Sequence, residues 1–82
     1  MPTATIRFFT QPGCPSCVTA KMFLSSRGVA FEEINIRRDA EALREMVEDL
    51  HSRVTPTVVF GSEIVLGFDA AKYEEALTRL GH

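Results

Sequence analysis

The sequence predicts an α/β fold in which three helices flank a four-stranded mixed sheet. Apolar periodicity changes along the chain in the order strand, helix, strand, helix, strand, strand, helix. A helix between the first two strands makes those strands parallel, because such a crossover returns the chain to the same end of the sheet. A very short turn between the last two strands makes that pair antiparallel.

The first half of the chain contains a strand, a helix and a second strand. Residues 5–9 are rich in β-branched and aromatic types and run into the breaker sequence Gln11-Pro12-Gly13. Cys14-Pro15 then begins a helix, because proline is pre-shaped for the first helical position. Residues 31–36 alternate apolar and polar side chains and predict the second strand. The expected buried face of the first helix comprises Cys17, Ala20, Phe23 and Leu24.

The second half contains a helix, a hairpin and a final helix. Asp39 and Asp69 stand where each helix begins and are good N-caps. The apolar runs 58–60 and 64–66 flank Gly61-Ser62-Glu63, which predicts a hairpin. The apolar stripe of the second helix is Leu43, Met46, Val47 and Leu50. The apolar face of the last helix is Tyr73, Ala76, Leu77 and Leu80.

Size and charge exclude several classes of protein. The 82 residues predict one domain spanning 1–82, and the net charge of −2 lacks the basic footprint of a nucleic-acid binder. No apolar run approaches the roughly 20 residues of a membrane-spanning helix, and the N-terminus enters a strand pattern without a charged leader. We therefore expect a cytoplasmic monomer that binds neither nucleic acid nor membrane.

The two cysteines form the motif Cys14-Pro15-Ser16-Cys17 at the start of the first helix. Residues three apart share one helix face, within the Cα separation that a disulfide requires. Unpaired N–H groups and the helix dipole favour an anion at a helix start, where thiol pKa values are typically about 3.5–7.5. The motif therefore predicts reversible redox chemistry, with Cys14 attacking as a thiolate and Cys17 resolving the mixed disulfide.

A structural zinc site is the alternative interpretation of this motif. Zinc requires four ligands, and besides the two thiols the chain offers only His51 and His82. A second Cys-x-x-Cys or a His-x-x-x-His is absent from the sequence. We therefore expect no metal and no permanently bound cofactor.

The chain resembles the glutaredoxin family of the thioredoxin fold over essentially its whole length, and three segments carry the resemblance. They are Phe8–Cys17 with the cysteine pair, Arg53–Val58 with a proline, and Gly67-Phe68-Asp69 at the start of the last helix. The resemblance implies a thioredoxin-like βαβαββα fold and thiol–disulfide oxidoreductase activity. It also implies a cis peptide bond between Thr55 and Pro56 that faces the cysteines.

The resemblance further implies a binding site for glutathione or an extended peptide. The main-chain groups of Thr55 would pair with the ligand, and the helix start at Asp69 would receive the γ-glutamyl end of glutathione. Arg53 matches a position that can contact the glycyl carboxylate of glutathione. The expected site residues around the cysteines are Gln11, Pro15, Arg53, Val54, Thr55, Pro56, Gly67, Phe68 and Asp69.

Three positions depart from the pattern of family members that use glutathione. Gln11 stands where a lysine is usual, and Ser16 stands where an aromatic residue is common. The segment Leu66-Gly67-Phe68-Asp69 has one glycine where the pattern usually has two. These departures weaken the case for glutathione specifically and leave thiol exchange unaffected.

Four functions are consistent with the sequence. The first is a glutaredoxin that reduces protein disulfides or glutathione mixed disulfides, with glutathione as co-substrate. The second is a redoxin that thioredoxin reductase recharges and that donates electrons to ribonucleotide reductase or peroxidases. Gln11 and the single glycine of Leu66-Gly67-Phe68-Asp69 favour this second function. The third is an iron–sulfur carrier, against which Pro15 and the available Cys17 argue. The fourth is a non-catalytic binding module.

Overall fold

The computed structural model describes residues 6–81 and confirms the α/β fold. Thr5 of the expected first strand and the histidine at position 82 lie outside the described residues. Within residues 6–81, no helix has the length and apolar character needed to cross a membrane. The elements are β1 (Ile6–Thr10), α1 (Pro15–Ser26), β2 (Glu32–Asn35), α2 (Ala40–Arg44), a π-helical turn (Glu45–Asp49), β3 (Thr57–Phe60), β4 (Glu63–Leu66) and α3 (Ala70–Leu80).

The sheet has the strand order β2-β1-β3-β4. As predicted, β1 is parallel to β2, and β3 pairs with β4 in antiparallel register. β1 also pairs with β3 in antiparallel fashion. Thr10 lies opposite Asn35, so the carboxyl ends of β1 and β2 meet at one edge of the sheet. The chain leaves that edge directly into the segment that carries the cysteines.

Apolar side chains cover both faces of the sheet, because alternate strand residues point to opposite sides. On one face, Phe8 and its neighbours pack against α1 and α3. On the other face, Phe9 and Ile34 pack against Ala42 and Met46 of the second helical segment. The predicted inward positions of α1 and α3 are confirmed as buried or packed against the core; they are Cys17, Ala20, Phe23, Leu24, Tyr73, Ala76, Leu77 and Leu80.

The second helical segment differs from its prediction in one residue. Met46 is 2% exposed as expected, but Leu43 is 41% exposed and Ala42 takes the buried position. The α-helical part ends at Arg44, and the chain continues as a π-helical turn in which the Leu50 N–H donates to the Glu45 carbonyl at 3.0 Å. A π turn contains more residues than an α turn, so a constant 3.6-residue period assigns the wrong side chain to the sheet.

The predicted caps and the predicted hairpin are confirmed. Asp39 Oδ1 accepts the N–H of Ala42 at 3.0 Å at the start of α2. Asp69 Oδ1 accepts the N–H of Lys72 at 3.1 Å at the start of α3. The turn between β3 and β4 is Gly61-Ser62, in which Gly61 has a positive φ of 65°. This short turn fixes the register that places the segments before β3 and after β4 side by side.

Candidate active site

The cysteine pair lies at the start of α1 and forms a disulfide. The two Cα atoms are 5.2 Å apart. Cys14 is the N-cap with an extended backbone (φ −116°, ψ 99°), and Pro15 occupies the first helical position. The N–H of Cys17 donates to Cys14 Sγ at 3.1 Å. The geometry therefore matches the expected pairing across one helical turn.

The two sulfur atoms have different surroundings. Cys17 is only 4% exposed and belongs to the core cluster beneath α1. Cys14 is partly buried and sits at the mouth of the helix, where its sulfur receives a backbone N–H. A helix start favours negative charge and burial disfavours it, so the two sulfurs have opposite electrostatic surroundings.

Thr55 is the residue from the opposite side of the site that approaches Cys14. Its carbonyl oxygen lies 3.5 Å from Cys14 Sγ. Its hydroxyl donates to the same sulfur at 3.6 Å. The Thr55–Pro56 peptide bond is cis, as the resemblance implied, and Pro56 is buried.

Buried hydroxyl groups hold the loop that precedes Pro56. Ser52 and Thr57 are both fully buried, and their oxygens are 2.6 Å apart. The Thr57 hydroxyl donates to the Val54 carbonyl at 2.6 Å, and the Ser52 hydroxyl accepts the Val54 N–H at 3.3 Å. Sequence reasoning did not assign these two residues a role. A serine and a threonine on either side of a loop are a weak signal of such bonds, because both types often bond to nearby backbone.

Gly67 connects the segment after β4 to the proline. Its N–H donates to the Pro56 carbonyl at 2.7 Å, and its own carbonyl accepts the Tyr73 hydroxyl at 2.9 Å. Burial raises the pKa of Tyr73, so its hydroxyl keeps the proton that it donates. Phe68 packs against the same core cluster as Cys14, with its ring 5.3 Å from that of Tyr73.

The remaining expected site residues lie around this centre. The Asp69 side chain caps α3, and this helix begins directly after Phe68 and Asp69. Val54 is an exposed apolar residue one position before Thr55. Arg53 is exposed, and within residues 6–81 its side chain takes part in no hydrogen bond or ion pair. The structure thus assembles the cysteines with Thr55 and gives the Arg53 side chain no hydrogen bond to them among the described residues.

Gln11 is joined to the centre by hydrogen bonds. Its Nε2 donates to Thr55 Oγ1 at 2.9 Å, and its Oε1 accepts from Arg37 Nη1 at 3.4 Å. Sequence reasoning missed Arg37. The signal that could have identified it was the predicted parallel pairing of the first two strands. In the structure, the Ile36 N–H donates to the Thr10 carbonyl at 2.9 Å, and this bond brings the residue after Ile36 close to the loop after β1.

A groove of about 230 Å³ lies beside the disulfide. The strand end and loop form one wall of this groove, and α1 forms the other with Val18 and Lys21. Lys21 pairs with Glu33 of β2 at 3.0 Å at the margin of the groove. In the part of the chain that the structure describes, no three His, Cys, Asp or Glu side chains come together as a metal site. Cys14 and Cys17 are both among the residues that line this groove.

Comparison with known proteins identifies relatives along most of the chain. A family model described as Glutaredoxin matches residues 6–65. Glutaredoxin 3 of Escherichia coli strain K12 is 32% identical over 66 residues, which are 80% of both chains. The hybrid peroxiredoxin hyPrx5 of Haemophilus influenzae is 39% identical over 66 residues, or 79% of this chain. The chain spans only 27% of the length of that peroxiredoxin.

Two solved structures share the fold at substantial sequence identity. The thioredoxin-like protein BC3987 is 42% identical with a TM-score of 0.84, covering 87% of this chain and 97% of that one. NrdH-redoxin from Escherichia coli, described as a glutaredoxin-like protein with a thioredoxin-like activity profile, is 30% identical with a TM-score of 0.77. That match covers 85% of this chain and 91% of the redoxin.

The matched residues include β1, the cysteine pair, the Thr55–Pro56 bond, β3 and all but the last residue of β4. They carry the cysteines and Thr55, whereas Gly67, Phe68 and Asp69 of the site follow the matched residues. The chain belongs to the glutaredoxin family, and it is a thiol–disulfide oxidoreductase with the Cys-x-x-Cys pair at Cys14 and Cys17.

Proposed function

We propose that this protein reduces protein disulfides and mixed disulfides of glutathione, with Cys14 as the attacking thiolate and Cys17 as the resolving thiol. One observation carries the assignment of roles. Cys14 Sγ lies at the open start of α1 and accepts the Cys17 N–H at 3.1 Å, whereas the Cys17 side chain is buried. The accessible, hydrogen-bonded sulfur is the better anion and the one that a substrate can reach.

The reaction consists of two thiol–disulfide exchanges. In the first, the Cys14 thiolate attacks one sulfur of the substrate disulfide and forms a mixed disulfide, while the other substrate sulfur leaves as a thiolate. In the second, Cys17 loses its proton to solvent and attacks Cys14 Sγ. The remaining substrate sulfur leaves as a thiolate, and the Cys14–Cys17 disulfide now holds the two-electron oxidation. An external thiol reductant then restores the dithiol.

The surroundings of Cys14 support glutathione as a co-substrate. The extended backbone of Thr55 offers main-chain groups to the peptide part of the tripeptide, close to the sulfur. The γ-glutamyl end carries an ammonium and a carboxylate group. Asp69 can pair with the ammonium, while the N–H groups of Ala70 and Ala71 suit the carboxylate, since the cap bonds only to Lys72 N–H.

A redoxin recharged by thioredoxin reductase is the second candidate. Gln11 favours it, because this uncharged side chain is already bonded to Thr55 and Arg37 and offers no cation to a glutathione carboxylate. The similarity to NrdH-redoxin and to one part of a hybrid peroxiredoxin supports ribonucleotide reductase or a peroxidase as the electron acceptor. In both candidates we propose a monomer that acts as one domain in the reducing cytoplasm, where its disulfide is transient.

Coupled assays with NADPH consumption test the two candidates. One assay contains glutathione and glutathione reductase, and the other contains thioredoxin reductase alone. Each is run with a glutathione mixed disulfide and with a protein disulfide as substrate. Turnover only in the glutathione assay supports the first candidate, and turnover only with thioredoxin reductase supports the second.

The Cys17→Ser variant is the internal control of the mechanism. It should still accept a glutathione mixed disulfide, because that exchange needs only Cys14. It should stall on a protein disulfide as a covalent mixed disulfide that mass spectrometry detects. The assignment of Cys14 as the attacking residue is wrong if Cys14→Ser forms this adduct and Cys17→Ser does not.

A further inference from the structure

Three hydrogen bonds in a row connect an exposed arginine to the sulfur of Cys14. Arg37 Nη1 donates to Gln11 Oε1 at 3.4 Å, and Gln11 Nε2 donates to Thr55 Oγ1 at 2.9 Å. Thr55 Oγ1 donates to Cys14 Sγ at 3.6 Å. The chain runs from the segment after β2, through the loop after β1, to the loop before β3.

The chemistry of the groups fixes the direction of every bond in this chain. A guanidinium group has donors and no acceptor, so it must bond to the amide oxygen of Gln11. The amide nitrogen of Gln11 is then the group that faces Thr55, and it can only donate. Because the Thr55 hydroxyl accepts from Gln11, its own proton is free to point at the sulfur of Cys14.

We propose that Arg37 is a positioning residue that acts through Gln11 and Thr55 to stabilise negative charge on the sulfur of Cys14. This inference rests on the proposed function, in which Cys14 attacks as a thiolate. Aligned hydrogen bonds polarise one another, so a full positive charge at the far end strengthens the last bond, by about 10–30% per bond. The bond from Thr55 gains most when the sulfur is an anion, because a charged acceptor roughly doubles the strength of a hydrogen bond.

Other charged groups near Cys14 do not supply the same effect. Lys21 of α1 and Glu33 of β2 line the groove beside the cysteines, but they pair with each other at 3.0 Å and their fields largely cancel. Asp69 adds negative charge at the start of α3. Arg53 is exposed on the Thr55 loop and makes no hydrogen bond within residues 6–81. Arg37 is therefore the cation that a continuous set of bonds links to the sulfur.

The test is the pH midpoint of thiolate formation at Cys14, followed by thiolate ultraviolet absorbance. The Cys17→Ser background leaves one thiol to titrate. Arg37→Met removes both the charge and the donors and should raise the midpoint by about 0.3–1 unit. Arg37→Lys retains a charged donor and should recover most of that shift.

Arg38→Met is the matched control. Arg38 is the adjacent arginine, is also exposed, and makes no side-chain hydrogen bond or ion pair in the described part of the chain. Its replacement removes the same unit of charge and should move the midpoint by less than a third of the Arg37→Met shift. Both variants should unfold at the same urea concentration as the parent, because both side chains are exposed.

A double-mutant cycle separates the hydrogen-bond chain from direct Coulomb attraction. In a Gln11→Met background the chain is cut, and Arg37→Met should then shift the midpoint by less than about a third of its effect in the parent. An undiminished shift in that background would overturn the proposal, as would equal shifts for Arg37→Met and Arg38→Met. Neither result touches the proposed function, which fails separately if the parent protein does not reduce disulfides.

Discussion

Two clefts of similar size flank β2, and they differ in how their polar groups are connected. The larger, about 290 Å³, lies between the sheet and the second helical segment and is lined mostly by charged side chains. There Arg7 donates two hydrogen bonds to Glu45, at 2.6 and 2.8 Å, and Arg44 pairs with Glu41. The smaller, about 230 Å³, lies beside the disulfide.

The comparison shows that neither volume nor charge identifies the reactive site. In the larger cleft, the strongest hydrogen bonds join one ionised side chain to another, and they link these charged groups only to each other. In the smaller cleft, hydrogen bonds from Gln11 and Thr55 lead to Cys14, whose sulfur exchanges partners during the reaction. A polar network that ends on a reactive atom can change the chemistry of that atom, whereas a network that joins only charged side chains to one another reaches no such atom.

Replacing Cys14 should give the largest effect. Cys14→Ser should lower disulfide reduction by at least about 100-fold, because a serine hydroxyl is not ionised at neutral pH and cannot replace a thiolate. Steady-state NADPH consumption with a mixed disulfide measures the loss. Cys17→Ser is the comparison, and it should retain turnover of the mixed disulfide. Equal activity of the two variants would contradict the assignment of roles.

Removing the buried hydroxyl of Ser52 should have the next largest effect. Ser52→Ala leaves the Val54 N–H without its hydroxyl acceptor and removes one of the two hydrogen bonds of the Thr57 hydroxyl. An unsatisfied buried polar group costs about 1–3 kcal/mol in the free energy of unfolding. Urea unfolding measures this cost. Ser62→Ala, in the exposed turn between β3 and β4, should change the same free energy by less than about 0.5 kcal/mol. A similar loss for both variants would show that the buried hydrogen bonds of Ser52 contribute no more to the free energy of unfolding than an exposed serine does.

The two helix caps allow a matched test of binding. Asp39 caps α2 beside the larger cleft, and Asp69 caps α3 beside the disulfide. Each Asp→Ala change should cost about 1 kcal/mol in the free energy of unfolding. Only Asp69→Ala should also raise KM for a glutathione mixed disulfide. Asp69→Asn keeps a capping oxygen but loses the charge, so it should raise KM with little loss of stability; an unchanged KM would refute the proposed contact with the γ-glutamyl ammonium.

The smallest expected effect is the pH dependence of the larger cleft. Hydrogen bonds from Arg7 hold the pKa of Glu45 below its usual value. A carboxyl whose pKa is lower in the folded protein adds stability above its unfolded pKa, about 4.3, and that stability is lost as the pH falls through the folded value. Because the Arg7–Glu45 pair is partly solvated, the free energy of unfolding of the wild type should exceed that of Glu45→Gln by no more than about 1 kcal/mol at neutral pH.

Urea unfolding at neutral pH and at pH values below the folded pKa checks this expectation. The difference between wild type and Glu45→Gln should vanish at low pH. Glu48→Gln is the control, because its carboxylate is exposed and 3.8 Å from Arg44. A constant difference across this pH range would mean that the ion pair does not act through ionisation of Glu45.

The fold was predictable because its signals are local. Period-2 and period-3.6 patterns, two aspartate caps and a glycine-led turn define the elements, and chain connectivity then restricts the sheet to few topologies. The disulfide was predictable for the same reason, since Cys14 and Cys17 are one turn apart at a helix start that Pro15 marks.

The features that sequence reasoning missed depend on contacts between distant segments or on a change of helix type. Leu43 was placed in the core because the π-helical turn that follows Arg44 gives no separate signal in the sequence. Arg37 and Arg38 are identical neighbours in sequence, and only the three-dimensional register shows which of them reaches Gln11. Such choices between neighbouring residues require the structure.

The hairpin gives the site a mechanical property. Pro56 directly precedes β3 and Gly67 directly follows β4, and the bond between the Gly67 N–H and the Pro56 carbonyl, 2.7 Å long, clamps the open end of the hairpin. Phe68 follows Gly67 in the chain and Thr55 precedes Pro56, so this one bond joins the segment that carries Phe68 to the residue that contacts the Cys14 sulfur. The two sides of the site are therefore ends of one hairpin, and a partner that covers both of them would contact a single connected unit of the fold.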